Sequence, residues 1–141
     1  MNFLRPLSAA ATGTALIAAI AAPAFAQTYV NDDPVAIEEF LTALYTVLEQ
    51  ESEGAYILAT EEYSDQDNLN NAGFICEAFS YGASVDQIIQ IFMEDEGIQD
   101  LTVEGQEIAG QYLGGVIFAG GFYYCPEYGQ EPVLDFLEEE L

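Results

Sequence analysis

After Arg5 the chain carries no lysine, arginine or histidine, whereas its 25 aspartates and glutamates all lie beyond residue 26. No carboxylate in residues 27–141 can therefore pair with a basic side chain. Each must be hydrated, hydrogen-bonded to backbone, amide or hydroxyl groups, protonated, or neutralised by a bound cation or partner. A fold made from such a chain has to rest on apolar burial and neutral hydrogen bonds. Nucleic acid is excluded as a partner because nothing here neutralises phosphates. An anionic membrane surface is excluded for the same reason. A basic protein or free cations are the partners this charge predicts. Crowding of like charges also predicts a fold that salt stabilises.

The first 26 residues are a different kind of sequence. Arg5 is followed by an apolar, alanine-rich stretch from Ala9 to Ala22, and then by "PAFA" with Ala24 and Ala26 in an A-x-A arrangement. A positive end, an apolar middle and a small-residue exit make the pattern of a secretory signal peptide, with cleavage expected between Ala26 and Gln27. The apolar middle is short for a membrane span. The expectation is a secreted or periplasmic protein, with an N-terminal tail at 27–33 and a single acidic helical domain over 34–141.

The apolar runs argue for a core rather than for disorder: "IEEFLTALYTVL", "VDQIIQIFM" and "YLGGVIFAGGFYYC" supply its large side chains. Asp33 as N-cap and Pro34 at the first helical position start a first helix, whose stripe is Ile37, Phe40, Leu41, Leu44, Val47 and Leu48. Residues 51–68 have no clear periodicity. "AYILA" fits a helical turn or a short strand, and "SDQDNLNN" reads as a turn that caps the next helix. That second helix is expected from Leu69 to Tyr81, with Leu69, Ala72, Cys76 and Phe79 on one face, ending at Gly82. Ser84 and Gln87 form a capping box for a third, with Val85, Ile88, Ile89, Phe92 and Met93 inward, fraying before Gly97. Thr102 caps a fourth, Val103 to Tyr124, which Pro126 stops, and "PVLDFLEEEL" makes a short terminal helix. The fold class predicted is all-α: a small bundle of four to five helices with one disulfide.

The fourth helix invites two readings. "IAGQYLGGVIFAGGFYYC" contains five glycines, each costing about 1 kcal/mol relative to alanine in a helix. Either they let neighbouring helices approach a central core helix, or helix 103–124 is a membrane-inserting or pore-forming segment using Gly110-x-x-x-Gly114. Gln111 within the run and acidic flanks favour the core.

Two cysteines, Cys76 and Cys125, are the whole thiol inventory. A catalytic thiol needs a base or a positive neighbour, and a zinc site needs about four ligands. Residues 27–141 offer neither, so the pair is expected to be a structural disulfide in an oxidising compartment. Histidine triads and lysine bases are absent. Acid–base work falls to carboxylates and tyrosines, which leaves a carboxylate-based hydrolase as an alternative, although pairs such as Glu104 with Glu107 read more simply as solvated faces. The D-x-D start at Asp65 departs from a calcium loop, with Leu69, Asn70 and Cys76 where a ligand, glycine and glutamate belong. No catalytic, cofactor-binding or metal-ligating residue is therefore assigned, and the function expected is an exported, non-catalytic interaction or binding module.

"GFICEAFSYGAS", as G-x-x-C-x-x-x-x-x-G-x-S, and the later "GVIFAGGFYYCP" resemble the two halves of the bacterial family catalogued as domain of unknown function 732, and "FLTAL" is similar to its opening helix. The resemblance spans Pro34 to Pro126. It implies a small exported helical domain with one disulfide, here Cys76 to Cys125, and implies no activity, cofactor or catalytic residue. The chain differs from that pattern in its long linker at 51–68 and in its acidity.

Overall fold

The Asp33 carboxylate accepts from the Val35 N–H at 3.0 Å, and with Pro34 in the first helical position it starts helix α1 (Pro34–Glu51) where the sequence predicts. The structure, a computed structural model, describes residues 29–140. The expected signal peptide and its cleavage site lie outside the described residues. Phe40, Leu44 and Leu48 form the buried edge of α1. Ser52 closes α1 and caps α2 (Glu53–Ile57) through the Ala55 N–H, at 3.1 Å. A π-helical turn, Leu58–Glu62, comes next, closed by a bond from Tyr63 N–H to the Leu58 carbonyl five residues back. "AYILA" is therefore helical and not a strand.

Helix α3 (Asp65–Ser80) starts four residues before Leu69, the start expected from periodicity. Ser64 and Asp67 make a reciprocal capping box, at 3.1 and 3.0 Å, which pulls the expected turn into the helix. The inward face of its early turns is Asn68 and Asn71, both fully buried, whereas Leu69 is only half-buried. Polar side chains hid this face from an apolar-period reading. Gly82, at φ 91°, ends the helix as expected.

The Ser84–Gln87 capping box opens α4 (Val85–Met93), which buries Val85, Ile88 and Phe92. The fraying expected before Gly97 is replaced by a short helix, α5 (Glu96–Gln99). Asp95 caps it through Gly97 N–H at 2.9 Å, and it buries Ile98. Thr102 caps α6 (Val103–Ala119), which continues into a second π-helical turn, Gly120–Tyr124. This is the central helix: Ala109, Tyr112, Leu113, Val116 and Ile117 are all buried. A Cβ on Gly115 would lie 2.8 Å from a Leu48 methyl, so that glycine admits α1 against the backbone. No helix among the described residues is long and apolar enough to cross a membrane.

The terminal helix α7 (Pro126–Glu140) begins six residues earlier than expected. Pro126 ends one helix and occupies the first position of the next. Gly129 then rests against Gly121, where a Cβ would come within 2.5 Å of the Gly121 Cα, and this contact draws the extra turn onto the core. The helix runs through Pro132 at the cost of one backbone hydrogen bond. Cys76 and Cys125 are disulfide-bonded, their Cα atoms 6.0 Å apart, which ties α3 to the junction between α6 and α7. Among the described residues the molecule has seven α-helices, five of them long, and no strand.

Residues 29–33 precede α1 as a strap. Tyr29 N–H bonds the Gly73 carbonyl at 3.3 Å, and the Asn31 amide bonds the Tyr124 carbonyl at 2.8 Å. The Tyr29 ring stands edge-on to both Tyr124 and Tyr128.

Candidate functional site

The disulfide sits at the centre of the fold, with Cys76 and Cys125 wholly shielded from solvent. It holds no thiolate and offers no nucleophile. Its role is to fix α3 against the start of α7, the helix that forms one wall of an acidic cleft.

A second buried feature is polar. The Asn71 side-chain amide donates to the Tyr112 hydroxyl at 2.7 Å, and that hydroxyl donates to Asn68 Oδ1 at 2.6 Å. The Asn68 amide nitrogen donates in turn to the Ala59 carbonyl in the first π turn, at 2.9 Å, and to the Tyr45 hydroxyl at 3.1 Å. Tyr45 donates to Asp65. This one-directional chain stitches α1, the π turn, α3 and α6 together without a charge in the core. Burial holds the Tyr112 hydroxyl neutral far above the ordinary tyrosine range. Burial, and after it the bond to Asp65, does the same for Tyr45.

Many carboxylates have local tasks. Asp33, Asp67 and Asp95 cap helices, and Glu127 accepts from the Tyr29 hydroxyl at 2.8 Å. The calcium-like start at Asp65 is spent in this way, as a helix first turn. Glu104 and Glu107 lie on the exposed side of α6. Among the described residues no group of three or more His, Cys, Asp or Glu side chains is gathered as a metal site.

What remains is a stripe that sequence reasoning missed. Glu127, Glu131, Asp135 and Glu139 succeed one another at every fourth position of α7, all exposed. Successive members of such a stripe rise about 6 Å along the axis and share one helix face. With Asp86 across the gap they line a cleft of about 470 Å³ between α7 and the Gly82–Val85 entry to α4. The signal was present in "PEYGQEPVLDFLEEE", but it appears only if the helix starts at Pro126 and not at Pro132.

Adjoining this cleft is an apolar slot of about 210 Å³ between α4, α6 and α7, walled by Ile89, Ile117, Phe118, Val133 and Leu137 and open at Gly114. Val85 and Phe136 line both cavities, so the two are neighbours that share a wall. A shallower depression of about 470 Å³ lies on the other side of Phe118, between α1 and α6, bordered by Glu38, Glu39, Thr42 and Tyr123.

The polar residues lining the cleft are Ser84, Tyr128 and the carboxylates, and none of its lining residues is cationic. Its carboxylates step along an axis instead of converging on a point. Such a line of negative charge is suited to binding an extended cationic ligand, and much less to holding one ion or one reacting bond. No family model, no curated protein and no solved structure matches this chain.

Proposed function

We propose that the protein is an exported, non-catalytic binding module that receives a cationic partner in the acidic cleft between α4 and α7. The observation that carries this is the line of Glu127, Glu131, Asp135 and Glu139 opposite Asp86, in a chain with no basic side chain after Arg5 to neutralise it from within. Like charges at four-residue spacing weaken a helix by about 0.2–0.5 kcal/mol per pair. A partner bearing positive charge would turn that repulsion into attraction and would be steered to the site before contact. The signal-peptide pattern ending at Ala26 and the buried disulfide support export. The likeness of the cysteine-bearing motifs to the family catalogued as domain of unknown function 732 supports the same reading.

The test separates the cleft from bulk charge. A synthetic lysine peptide is titrated into the wild type and into two variants of equal net charge. One carries Glu131→Gln, Asp135→Asn and Glu139→Gln in the stripe. The other carries Glu49→Gln, Glu51→Gln and Glu94→Gln elsewhere on the exposed surface. Binding at low salt should weaken at least tenfold in the stripe variant and change little in the control. Equal losses in both would reduce the interaction to non-specific attraction and overturn the proposal.

A further inference from the structure

The apolar slot is bordered by Gly114, a position where packing does not require the absence of a side chain. Gly115, its neighbour, is needed, because a Cβ there would meet Leu44 and Leu48 at 3.2 and 2.8 Å. At Gly114 a Cβ would meet nothing within 4 Å, and the residue is exposed in the middle of α6. A glycine in such a place costs the helix about 1 kcal/mol relative to alanine, with no close approach to require it. Its missing side chain leaves the edge of the slot that it lines uncovered. The walls around it are almost wholly apolar, and Leu137 at its mouth is 38% exposed.

Resting on the cationic-partner reading, we infer that this slot takes one large apolar side chain of that partner. The ligand is then a cationic peptide segment carrying a phenylalanine- or leucine-sized anchor. The volume fits: an apolar cavity of about 150 Å³ holds a benzene ring, and the slot offers about 210 Å³. The position fits as well. Because Val85 and Phe136 belong to both the slot and the cleft, the residues flanking an anchored side chain would lie within reach of Asp86 and the α7 carboxylates. An apolar anchor in a pocket ringed by complementary charge is the usual division of labour in a binding surface, the pocket supplying affinity and the charges orientation and on-rate. A second copy of this chain does not fit, since beyond Arg5 it brings no basic side chain to the stripe and adds its own carboxylates.

The experiment uses the purified, disulfide-bonded protein and two lysine-rich peptides of identical charge, one with a single phenylalanine and one with alanine in its place. The phenylalanine peptide should bind at least tenfold more tightly. Gly114→Leu, which adds a large apolar side chain at an exposed residue lining the slot, should erase that advantage and leave the alanine peptide's affinity unchanged. Leu137→Gln, at the slot mouth, should reduce it. On the wild type, ring-current shifts should appear at the Ile89 and Ile117 methyls with the phenylalanine peptide only. Equal binding of the two peptides would overturn the slot inference while leaving the cationic-partner reading intact. Binding of neither peptide at low salt would remove both. Capture of a neutral dodecyl chain as tightly as the phenylalanine peptide would reassign the slot to lipid, and would also overturn the inference.

Discussion

The Tyr112 hydroxyl donates to Asn68 Oδ1 at 2.6 Å, joining α6 to α3 across 44 positions, and both side chains are fully buried. Removing the hydroxyl leaves Asn68 Oδ1 without its donor and deprives the Asn71 amide of its acceptor. A buried polar group stranded in this way costs about 1–3 kcal/mol, and here two are stranded at once. Tyr112→Phe should therefore destabilise the protein by about 2–4 kcal/mol, read as a lower urea midpoint at unchanged slope. A loss within about 0.5 kcal/mol, the range of neutral surface changes, would contradict the bonding pattern.

The Cys76–Cys125 bond closes a loop of 49 positions. In the chain-entropy account, a loop of that length contributes about 4 kcal/mol by restricting the unfolded chain. That is a large share of the roughly 5–15 kcal/mol typical of a whole domain. Urea unfolding with and without reductant should differ by an amount of this order. Intact mass should rise by two hydrogens once the unfolded protein is reduced. An unchanged midpoint after full reduction would show that the cross-link does not hold the fold.

Elements with apolar stripes and strong caps were readable from sequence: α1 from Asp33–Pro34, α4 from the Ser84–Gln87 box, and α6 from Thr102. The disulfide was readable because only two cysteines exist and nothing basic accompanies them. Two other regions misled for physical reasons. The start of α3 buries Asn68 and Asn71, and amides look like turn residues until the tyrosines that satisfy them are known. The start of α7 depends on Gly129 meeting Gly121, a tertiary contact that no local pattern announces. Missing that first turn also concealed the acidic stripe, since Glu127 and Glu131 precede Pro132. The error in the fold and the gap in the site thus share one cause.

Two glycine-to-alanine changes should have opposite signs. At Gly129 the new Cβ would lie 2.5 Å from the Gly121 Cα, and backbone cannot rotate away as a side chain can. Gly129→Ala should cost about 2 kcal/mol or more through overpacking. At Gly114 the Cβ enters open space in a helix, and Gly114→Ala should gain about 0.5–1 kcal/mol. Paired melting curves decide the matter. A destabilised Gly114→Ala would mean that the slot is closed, and a neutral Gly129→Ala that α7 does not seat on Gly121.

Salt should stabilise this protein more than a chain of mixed charge. With 25 carboxylates and no lysine, arginine or histidine after Arg5, screening removes repulsion and dissolves no internal ion pair. The melting temperature at neutral pH should rise steadily with sodium chloride. Glu131→Gln, which interrupts the α7 stripe, should raise stability by a few tenths of a kcal/mol at low salt, and the gain should fade as salt is added. A melting temperature that falls with moderate salt would mean that attractive charge pairs are present after all.

Alkaline pH attacks the opposite part of the molecule. Burial pushes the hydroxyls of Tyr29, Tyr45 and Tyr112 well above the ordinary tyrosine range, and hydrogen bonds to Glu127 and Asp65 add to the effect at the first two. In each case the folded state favours the neutral phenol, so the folded pKa exceeds the unfolded value of about 10. The stability this contributes is fully present below about pH 10 and is lost as pH rises above it toward the folded values. After a jump to strong alkali, phenolate absorbance should therefore grow in two phases, the slower one coinciding with loss of the helical circular-dichroism signal. Complete ionisation of all nine tyrosines in the fast phase, with helicity intact, would place Tyr112 in contact with solvent and undo the buried chain that joins α6 to α3.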